Sequence, residues 1–233
     1  MTTDPPGIAS TGDVTTKGER TRQSIVAHGI ETAHRIGLGG LTIGELATAT
    51  GLSKSGLYAH FRSKEALQIA VLDAAADQFT DAVLRPALRA PRGEQRIREL
   101  FERWLTCGMR SEPGGALFVK AATELDEQPG PVRDSLAAHH RALILTIETI
   151  VRAGAADGAF GADADARQFA TDLYGVMLAF YHAHRLLREP AAASRARSAF
   201  ATLLAALTAG ADPRGAPAPT PPLDAEQNTG TRR

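Results

Sequence analysis

The sequence predicts an all-α fold, with a small N-terminal three-helix domain and a larger C-terminal helical domain. Three observations favour this class. Apolar side chains recur at three- and four-residue spacing along most of the 233 residues, the alternation typical of strands is absent, and alanine and leucine, which favour helix, dominate. Apolar residues make up 43% of the chain, so a core can be buried and wholesale disorder is excluded.

We predict nine helices, several of which begin or end at capping residues, glycine or proline. The first ends at the glycine-rich segment 37–40, the second begins after the capping residue Thr42, and the third begins after Ser53. The fourth is expected to end near Pro86, because proline disrupts a helix interior. The predicted helices span about 18–37, 43–49, 54–60, 64–86, 93–110, 115–126, 130–154, 164–188 and 191–209.

The chain divides into two tails and two domains. Residues 1–16 and 211–233 are predicted to be disordered, since they hold almost no large apolar side chain and the second tail is rich in proline. Between them, residues 17–63 form the N-terminal domain and residues 64–210 the C-terminal domain. We expect that the fourth helix alone belongs to both domains.

Several classes of protein are disfavoured by composition. The longest apolar runs are far shorter than the roughly 18–20 residues that cross a membrane, and the N-terminus lacks the basic and apolar regions of a secretory signal. We therefore expect a cytoplasmic protein without a membrane partner. Cys107 is the single cysteine, so neither an intrachain disulfide nor a cysteine-based zinc site is expected.

Metal, cofactor and enzyme sites are not expected either. The histidine pairs His139–His140 and His182/His184 would point to different faces of a helix, which disfavours chelation. The chain has no HExxH, GxSxG, P-loop or dinucleotide-binding glycine pattern. We predict no metal, no cofactor and no catalytic residue.

The segment from Leu41 to Asp73 carries the features of a DNA-reading helix-turn-helix. Ala47 is small where the second and third helices approach each other, and Gly51 lies in the turn, where a left-handed backbone favours glycine. Four apolar side chains are spaced to fill the small core between these helices: Ile43, Leu46, Leu52 and Leu57.

The third helix presents small residues and hydrogen-bond donors that can approach a DNA groove: Lys54, Ser55, Gly56, Tyr58 and His60. Lys54 can reach a phosphate or a guanine edge, and Tyr58 and His60 can donate to phosphate oxygens. Lys64 adds a positive charge at the level of the phosphates. The 26 basic and 26 acidic residues of the chain cancel, but residues 16–64 hold seven basic and three acidic side chains. Phosphate contact needs only such a local excess of positive charge.

This ordered series of residues resembles the N-terminal DNA-binding domain of the TetR family of one-component transcriptional regulators. The resemblance rests on Thr42 at the start of the second helix and on the runs GLSK at 51–54, LYAHF at 57–61 and SKEAL at 63–67. It implies that six of these residues match positions that contact DNA in relatives: Thr42, Lys54, Ser55, Tyr58, His60 and Lys64.

The resemblance also implies a homodimer. The helices predicted at 164–188 and 191–209 would pair with their copies in a four-helix bundle, and four of their apolar residues are expected at the dimer interface: Phe180, Phe200, Leu203 and Leu207. A small-molecule effector is expected to bind in the C-terminal regulatory and dimerisation domain, and to change the separation of the two DNA-reading domains.

An effector site is predicted around Trp104, the single tryptophan of the chain. The expected lining is Phe101, Trp104, Cys107, Phe118 and Glu124. Apolar and aromatic side chains with one polar residue to orient the ligand indicate an apolar or aromatic effector. The alternative is that the apolar residues are ordinary core and that Cys107 is a buried, inert thiol.

The sequence thus predicts a homodimeric, sequence-specific DNA-binding regulator, a repressor that an effector releases from a near-palindromic operator. Two alternatives remain. A helical partner-binding or scaffold protein would use the same helices, but it leaves the motif at 42–67 unexplained. A small helical enzyme would need a catalytic motif, and the sequence offers none.

Overall fold

The computed structural model of the protein describes residues 16–110 and 115–209, and every regular element within these two ranges is helical. The all-α prediction is therefore confirmed. The two predicted tails lie outside the described residues, apart from Thr16, whose side chain caps the first helix.

The helices follow the predicted order along the chain. The α-helices are α1 (Lys17–Ile36), α2 (Ile43–Thr50), α3 (Lys54–His60), α4 (Lys64–Phe79), α5 (Arg85–Arg89), α6 (Glu94–Met109), α7 (Gly115–Leu125), α8 (Pro131–Ala156), α9 (Ala166–Tyr181) and α10 (Ala192–Thr208). Two π-helical turns accompany them within the described ranges. Thr80–Leu84 joins α4 to α5, and His182–Leu186 follows α9.

The fourth helix is predicted to end near Pro86, and the helical path ends just beyond it, at Arg89. The chain continues from α4 through the π-helical turn into α5, which ends at Arg89. Pro86 lies in the first turn of α5. A proline in the middle of a regular α-helix would remove a hydrogen bond and clash with the preceding turn. The wider π-helical turn just before Pro86 changes that geometry, so the chain passes the proline without leaving the helical path.

Local sequence explains how the first three helices begin and end. Thr16 and Thr42 start α1 and α2, and each forms a reciprocal capping box with the glutamate three residues later. Gly51 ends α2 in the left-handed conformation, with φ of 67°. Ser53 then caps α3 by accepting a hydrogen bond from the backbone N–H of Gly56.

Two hydrophobic cores divide the molecule. We call the three helices α1–α3 the head. The first core holds the apolar side chains of the head together with those of α4 as far as Ala75. The second begins at Phe79 and contains α6, α9, α10 and most of α8. α7 also packs on the head, through residues such as Leu117 and Leu125. The expectation that only the fourth helix belongs to both domains is therefore wrong, because α7 and α8 contribute to both cores.

Gly154, near the end of α8, packs directly against the ring of Phe160. A Cβ atom at Gly154 would overlap the ring of Phe160, which is almost completely buried and cannot swing into solvent. We expect Gly154→Ala to lower the free energy of unfolding by about 1–3 kcal/mol through overpacking, as measured by urea denaturation. Gly18→Ala, at an exposed position where the added methyl group meets only ordinary contacts, is the matched control. Equal stability of the two variants would contradict this packing.

Candidate functional site

The helix-turn-helix holds α3 with one side inward and the other side outward. Leu57 is fully buried and Phe61, just after α3, is almost so. Between them Tyr58 has 53% of its surface exposed. Because neighbouring positions on a helix point about 100° apart, burying Leu57 leaves the side of Tyr58 in solvent. The geometry therefore presents one polar side of α3 on the surface of the head.

Five of the seven residues predicted to contact DNA lie on α3, and they differ in exposure. Lys54, Ser55 and Tyr58 are exposed on α3, whereas Gly56 and His60 are half-buried. The hydroxyl of Ser55 lies 3.0 Å from that of Ser53, so the two serines can share a hydrogen bond. The structure thus brings these five residues onto one short helix, with three of them exposed to solvent.

Thr42 and Lys64 are exposed but already make contacts within the head. The hydroxyl of Thr42 lies in the capping box of α2, where it both donates to and accepts from Glu45. The Nζ atom of Lys64 donates to the backbone carbonyl of Gly39 at 2.8 Å. An ammonium group carries three donors, so two remain for a phosphate oxygen.

Arg22 fixes the end of α3, and sequence reasoning missed this role. Its Nη1 atom donates to the carbonyl of His60 at 3.1 Å, and its guanidinium lies 4.3 Å from the centre of the Phe61 ring. This geometry combines a hydrogen bond with a cation–π contact. No sequence pattern indicates it, because 38 residues separate Arg22 from His60.

Two side chains of α7 hold the last turn of α1 and the loop that follows it. The Nζ atom of Lys120 donates to the carbonyl of His34 at 2.9 Å, and the Oε2 atom of Glu124 accepts from the backbone N–H of Gly39 at 2.7 Å. We call Lys120 and Glu124 the α7 clamp. A Cβ atom at Gly37 would overlap the carboxylate of Glu124, so this close approach depends on glycine.

The α7 clamp corrects one part of the predicted effector site. Glu124 was expected to orient a ligand, but it lies against the loop of the head instead. Gln68 of α4 holds the same loop, since its Nε2 atom donates to the carbonyl of Leu38 at 2.7 Å. The loop is therefore attached to the C-terminal domain through both α4 and α7.

A cavity of about 380 Å³ lies between α4, the π-helical turn Thr80–Leu84 and helices α5 to α9. Its size is within the range of small-molecule sites. The aromatic residues and histidine that shape it are Phe79, Trp104, Phe118, His140, Tyr174 and Tyr181. Thr80 and Leu84 of the π-helical turn also line it. Such turns occur often at functional sites.

The cavity includes two of the five predicted effector residues, Trp104 and Phe118. Phe101 and Cys107 lie outside its lining, which corrects the prediction. Phe101 is fully buried, and its ring stacks on that of Phe200 with 4.1 Å between centroids. Cys107 is also buried in this core. The apolar residues of α6 cover a wide arc, and the sequence does not show which part of that arc faces a cavity.

Three polar side chains of the cavity were missed by sequence reasoning. The hydroxyl of Tyr174 lies 2.6 Å from Nδ1 of His140. Within the described residues, neither Nε2 of His140 nor the hydroxyl of Tyr181 has a hydrogen-bond partner. The adjacent histidines at 139 and 140 were a visible signal, but they were considered only as metal ligands.

Burial keeps these three groups uncharged. It raises the pKa of Tyr174 to about 12 and that of Tyr181 further still. Burial also lowers the pKa of His140, and the charge of His139 adds to this effect, while the nearby backbone carbonyl of Phe118 opposes it. All three are therefore neutral groups that can donate or accept hydrogen bonds near neutral pH.

The structure corrects most of the predicted dimer interface. Phe180, Phe200 and Leu207 are buried among helices of their own chain and are not accessible to a partner. Leu203 is partly buried against the same core. The largest apolar residues of α9 and α10 pack on the rest of the chain, where burial of their apolar surface stabilises the fold. Smaller residues are left on their outer sides.

Within residues 16–110 and 115–209, every helix is too short or too polar to cross a membrane. Histidine, cysteine, aspartate and glutamate side chains there form no group of three that could hold a metal ion.

Comparison with known proteins gives matches over both domains. The family described as "Bacterial regulatory proteins, tetR family" matches residues 25–71, and the one described as "Tetracyclin repressor-like, C-terminal domain" matches residues 93–200. A solved TetR transcriptional regulator from Chloroflexus aurantiacus J-10-fl is 27% identical, with a TM-score of 0.71 over 81% of this chain and 94% of that chain.

Two other solved structures share the fold at lower identity. A TetR-family transcriptional regulator from Cytophaga hutchinsonii is 20% identical, with a TM-score of 0.74 over 83% of this chain and 98% of its own. AibR, solved in complex with isovaleryl coenzyme A and operator DNA, is also 20% identical, with a TM-score of 0.58 over 69% of this chain and 85% of its own.

Proposed function

This chain belongs to the TetR family of bacterial regulatory proteins, and we propose that it is a repressor whose effector binds in the cavity that Trp104 helps to line. Members of this family bind operator DNA as dimers, respond to small molecules and generally act without catalysis. The observation that carries the proposal for this chain is the polar side of α3, exposed on a head with excess positive charge. We place the protein in the cytoplasm, where bacterial operator DNA lies.

Lys54, Ser55 and Tyr58 are proposed to enter the major groove, with Gly56 and His60 at the edge of the contact. Their exposure on one short helix supports this role. Thr42 and Lys64 are proposed to contact phosphates beside the groove, where Lys64 retains donors beyond its bond to Gly39. Phosphate contacts fix the position of the head, and base contacts select the sequence.

Fluorescence anisotropy tests this function directly. Labelled fragments from the DNA that flanks the gene are titrated with the protein at several salt concentrations. We expect one fragment to bind more tightly than the others, and the logarithm of its affinity should fall linearly with the logarithm of the salt concentration. Binding that is equally weak for every fragment, or absent, would contradict the proposal.

The outer sides of α9 and α10 are proposed as the dimer interface. Gly175, Leu178 and Ala179 are exposed on α9, and Ala201 and Ala205 are exposed on α10. Leu178 is a large apolar residue with 38% of its surface exposed. Small residues around it would allow two copies of these helices to approach closely, as a four-helix bundle requires.

A double substitution, Leu178→Glu with Ala205→Glu, is expected to give folded monomers. Both side chains lie in solvent, so the charges disturb the partner contact and not the core. Loss of the second head should weaken operator binding by about 100-fold or more. Light scattering after gel filtration measures the mass, and Leu145→Glu, at an exposed leucine of α8, is the control. A double variant that remains dimeric would refute this interface.

A further inference from the structure

We infer that the cavity takes an uncharged aromatic ligand that carries a hydrogen-bond acceptor such as a carbonyl oxygen, held by the hydroxyl of Tyr181 and by the His140–Tyr174 pair. This inference rests on the proposed function, because it names the chemical class of the effector.

Aromatic rings form much of the cavity wall. Phe79 meets Trp104 edge-on with 5.8 Å between centroids, and the ring of Tyr174 lies 6.1 Å from that of Trp104. On another side, Phe118 meets the ring of His140 edge-on at 5.9 Å. Planar groups pack favourably against such rings in stacked or edge-on geometry. The wall therefore favours a flat, aromatic ligand over a flexible aliphatic chain.

The hydroxyl of Tyr181 is the first polar anchor. The side chain lines the cavity and has 3% of its surface exposed. The indole of Trp104 acts on its oxygen, but an indole N–H can only donate, and no acceptor within the described residues pairs with the phenolic hydrogen. A buried polar group without a partner destabilises the protein, and a ligand atom that pairs with it removes that cost. The phenol is neutral at physiological pH, so it can donate a hydrogen bond to an acceptor.

The His140–Tyr174 pair supplies the second anchor, whichever tautomer His140 adopts. If Tyr174 donates to Nδ1, then Nε2 of His140 carries a proton. The backbone carbonyl of Phe118 lies nearby, but no acceptor within the described residues pairs with Nε2 in hydrogen-bond geometry. If Nδ1 carries the proton instead, the hydroxyl hydrogen of Tyr174 is left to donate elsewhere. Either arrangement leaves one donor of the pair unused, which again calls for an acceptor on the ligand.

The charges around the cavity favour a neutral ligand. None of the described lining residues is lysine, arginine, aspartate or glutamate. His139 lines the cavity, but its Nε2 atom pairs with Asp73 at 2.8 Å. Arg185 acts electrostatically on Tyr181, but it lies outside the lining and acts on His34 as well. An ionic ligand would lose its hydration here without gaining a partner of opposite charge.

Isothermal titration calorimetry with four probes of similar size tests the inference. Acetophenone carries the acceptor, ethylbenzene lacks it, benzoate is an anion and benzyltrimethylammonium is a cation. We expect acetophenone to bind about tenfold more tightly than ethylbenzene, as one recovered hydrogen bond would provide. The two ions should bind more weakly than ethylbenzene. Tighter binding of either ion than of acetophenone, or no binding of any probe, would overturn the inference.

Tyr181→Phe removes one hydroxyl and keeps the ring. In this variant we expect acetophenone and ethylbenzene to bind within about threefold of each other, with the affinity for ethylbenzene retained. Thr149→Val removes an exposed hydroxyl of α8 that does not line the cavity, and it should keep the tenfold preference. A full preference for acetophenone in Tyr181→Phe would contradict the role of Tyr181.

Operator binding, measured on the same protein samples, separates this inference from the proposed function. If the protein binds its operator but prefers a charged probe, only the ligand class is wrong. If acetophenone binds as expected while no DNA fragment is recognised, the ligand class stands and the proposed repressor function fails.

Discussion

Alanine at position 58 or 54 is expected to reduce operator affinity by about 1–3 kcal/mol each, which makes these the most damaging single substitutions on the surface of the head. Tyr58 and Lys54 project from the exposed side of α3. Truncating either one removes a DNA contact without touching the core, so the dimer and its unfolding temperature should be unchanged. Fluorescence anisotropy with the operator fragment measures the affinity.

Salt dependence distinguishes the two side chains. A lysine that contacts phosphate releases a counterion, so Lys54→Ala should reduce the slope of log affinity against log salt by about one. Tyr58→Ala should leave the slope unchanged, because tyrosine is neutral. Arg98→Ala removes a cation from the exposed side of α6, outside the head, and serves as the control. Affinity that is unchanged in both α3 variants would show that α3 is not the DNA-reading helix.

Removal of the α7 clamp is expected to separate ligand binding from DNA release. α7 lines the cavity with Phe118 and Val119, and it holds the head through Lys120 and Glu124. A ligand that displaces α7 would therefore move the loop between α1 and α2. A ligand shifts the protein between two conformations only through its different affinity for each of them.

The double variant Lys120→Met with Glu124→Met keeps side chains of similar length and removes both hydrogen bonds of the clamp. Coupling between two sites commonly changes affinity by about 5- to 150-fold. We expect the ligand to bind this variant normally, while its effect on operator affinity falls by about tenfold. Anisotropy with and without a ligand that releases the wild-type protein measures this effect, and Lys17→Met with Glu31→Met on exposed α1 positions is the control.

The clamp experiment also distinguishes two routes through the fold. Release that is as complete in the clamp variant as in the wild-type protein would contradict the role of α7. It would favour α4, where Gln68 holds the same loop through the carbonyl of Leu38. Both helices contribute to the core of the head, so their packing alone does not separate the two routes.

The head could be predicted from the sequence because its determinants are local. The capping box at Thr42, the left-handed Gly51 and the cap at Ser53 each act within three residues along the chain. Together they fix where α2 and α3 begin and end. The burial of Leu57 beside the exposed Tyr58 then follows from helical spacing.

The cavity could not be predicted, because its shape depends on contacts between distant helices. The π-helical turn before Pro86 carries no simple sequence signal, yet it supplies Thr80 and Leu84 to the lining. The pairing of His140 with Tyr174 joins residues 34 apart in the sequence. Tyr174 was not among the candidates, since an apolar stripe does not reveal where a polar side chain will be enclosed.

The dimer interface was mispredicted for a related reason. Phe180 and Phe200 are the obvious large apolar residues of α9 and α10, and hydrophobic periodicity marks them as buried. It does not distinguish burial within one chain from burial against a second copy. Smaller residues around Leu178 are less conspicuous in the sequence, but they are the ones that remain exposed.

Footprinting of captured DNA is the most direct test of the central claim, which is that two copies of α3 read the operator together. Genomic fragments are selected on the wild-type dimer, and the bound fragments are probed with hydroxyl radicals. We expect two protected half-sites related by a dyad, with centres one helical turn of DNA or a multiple of it apart. A single protected half-site, or a footprint that persists in the variant with alanine at both 54 and 58, would contradict the account.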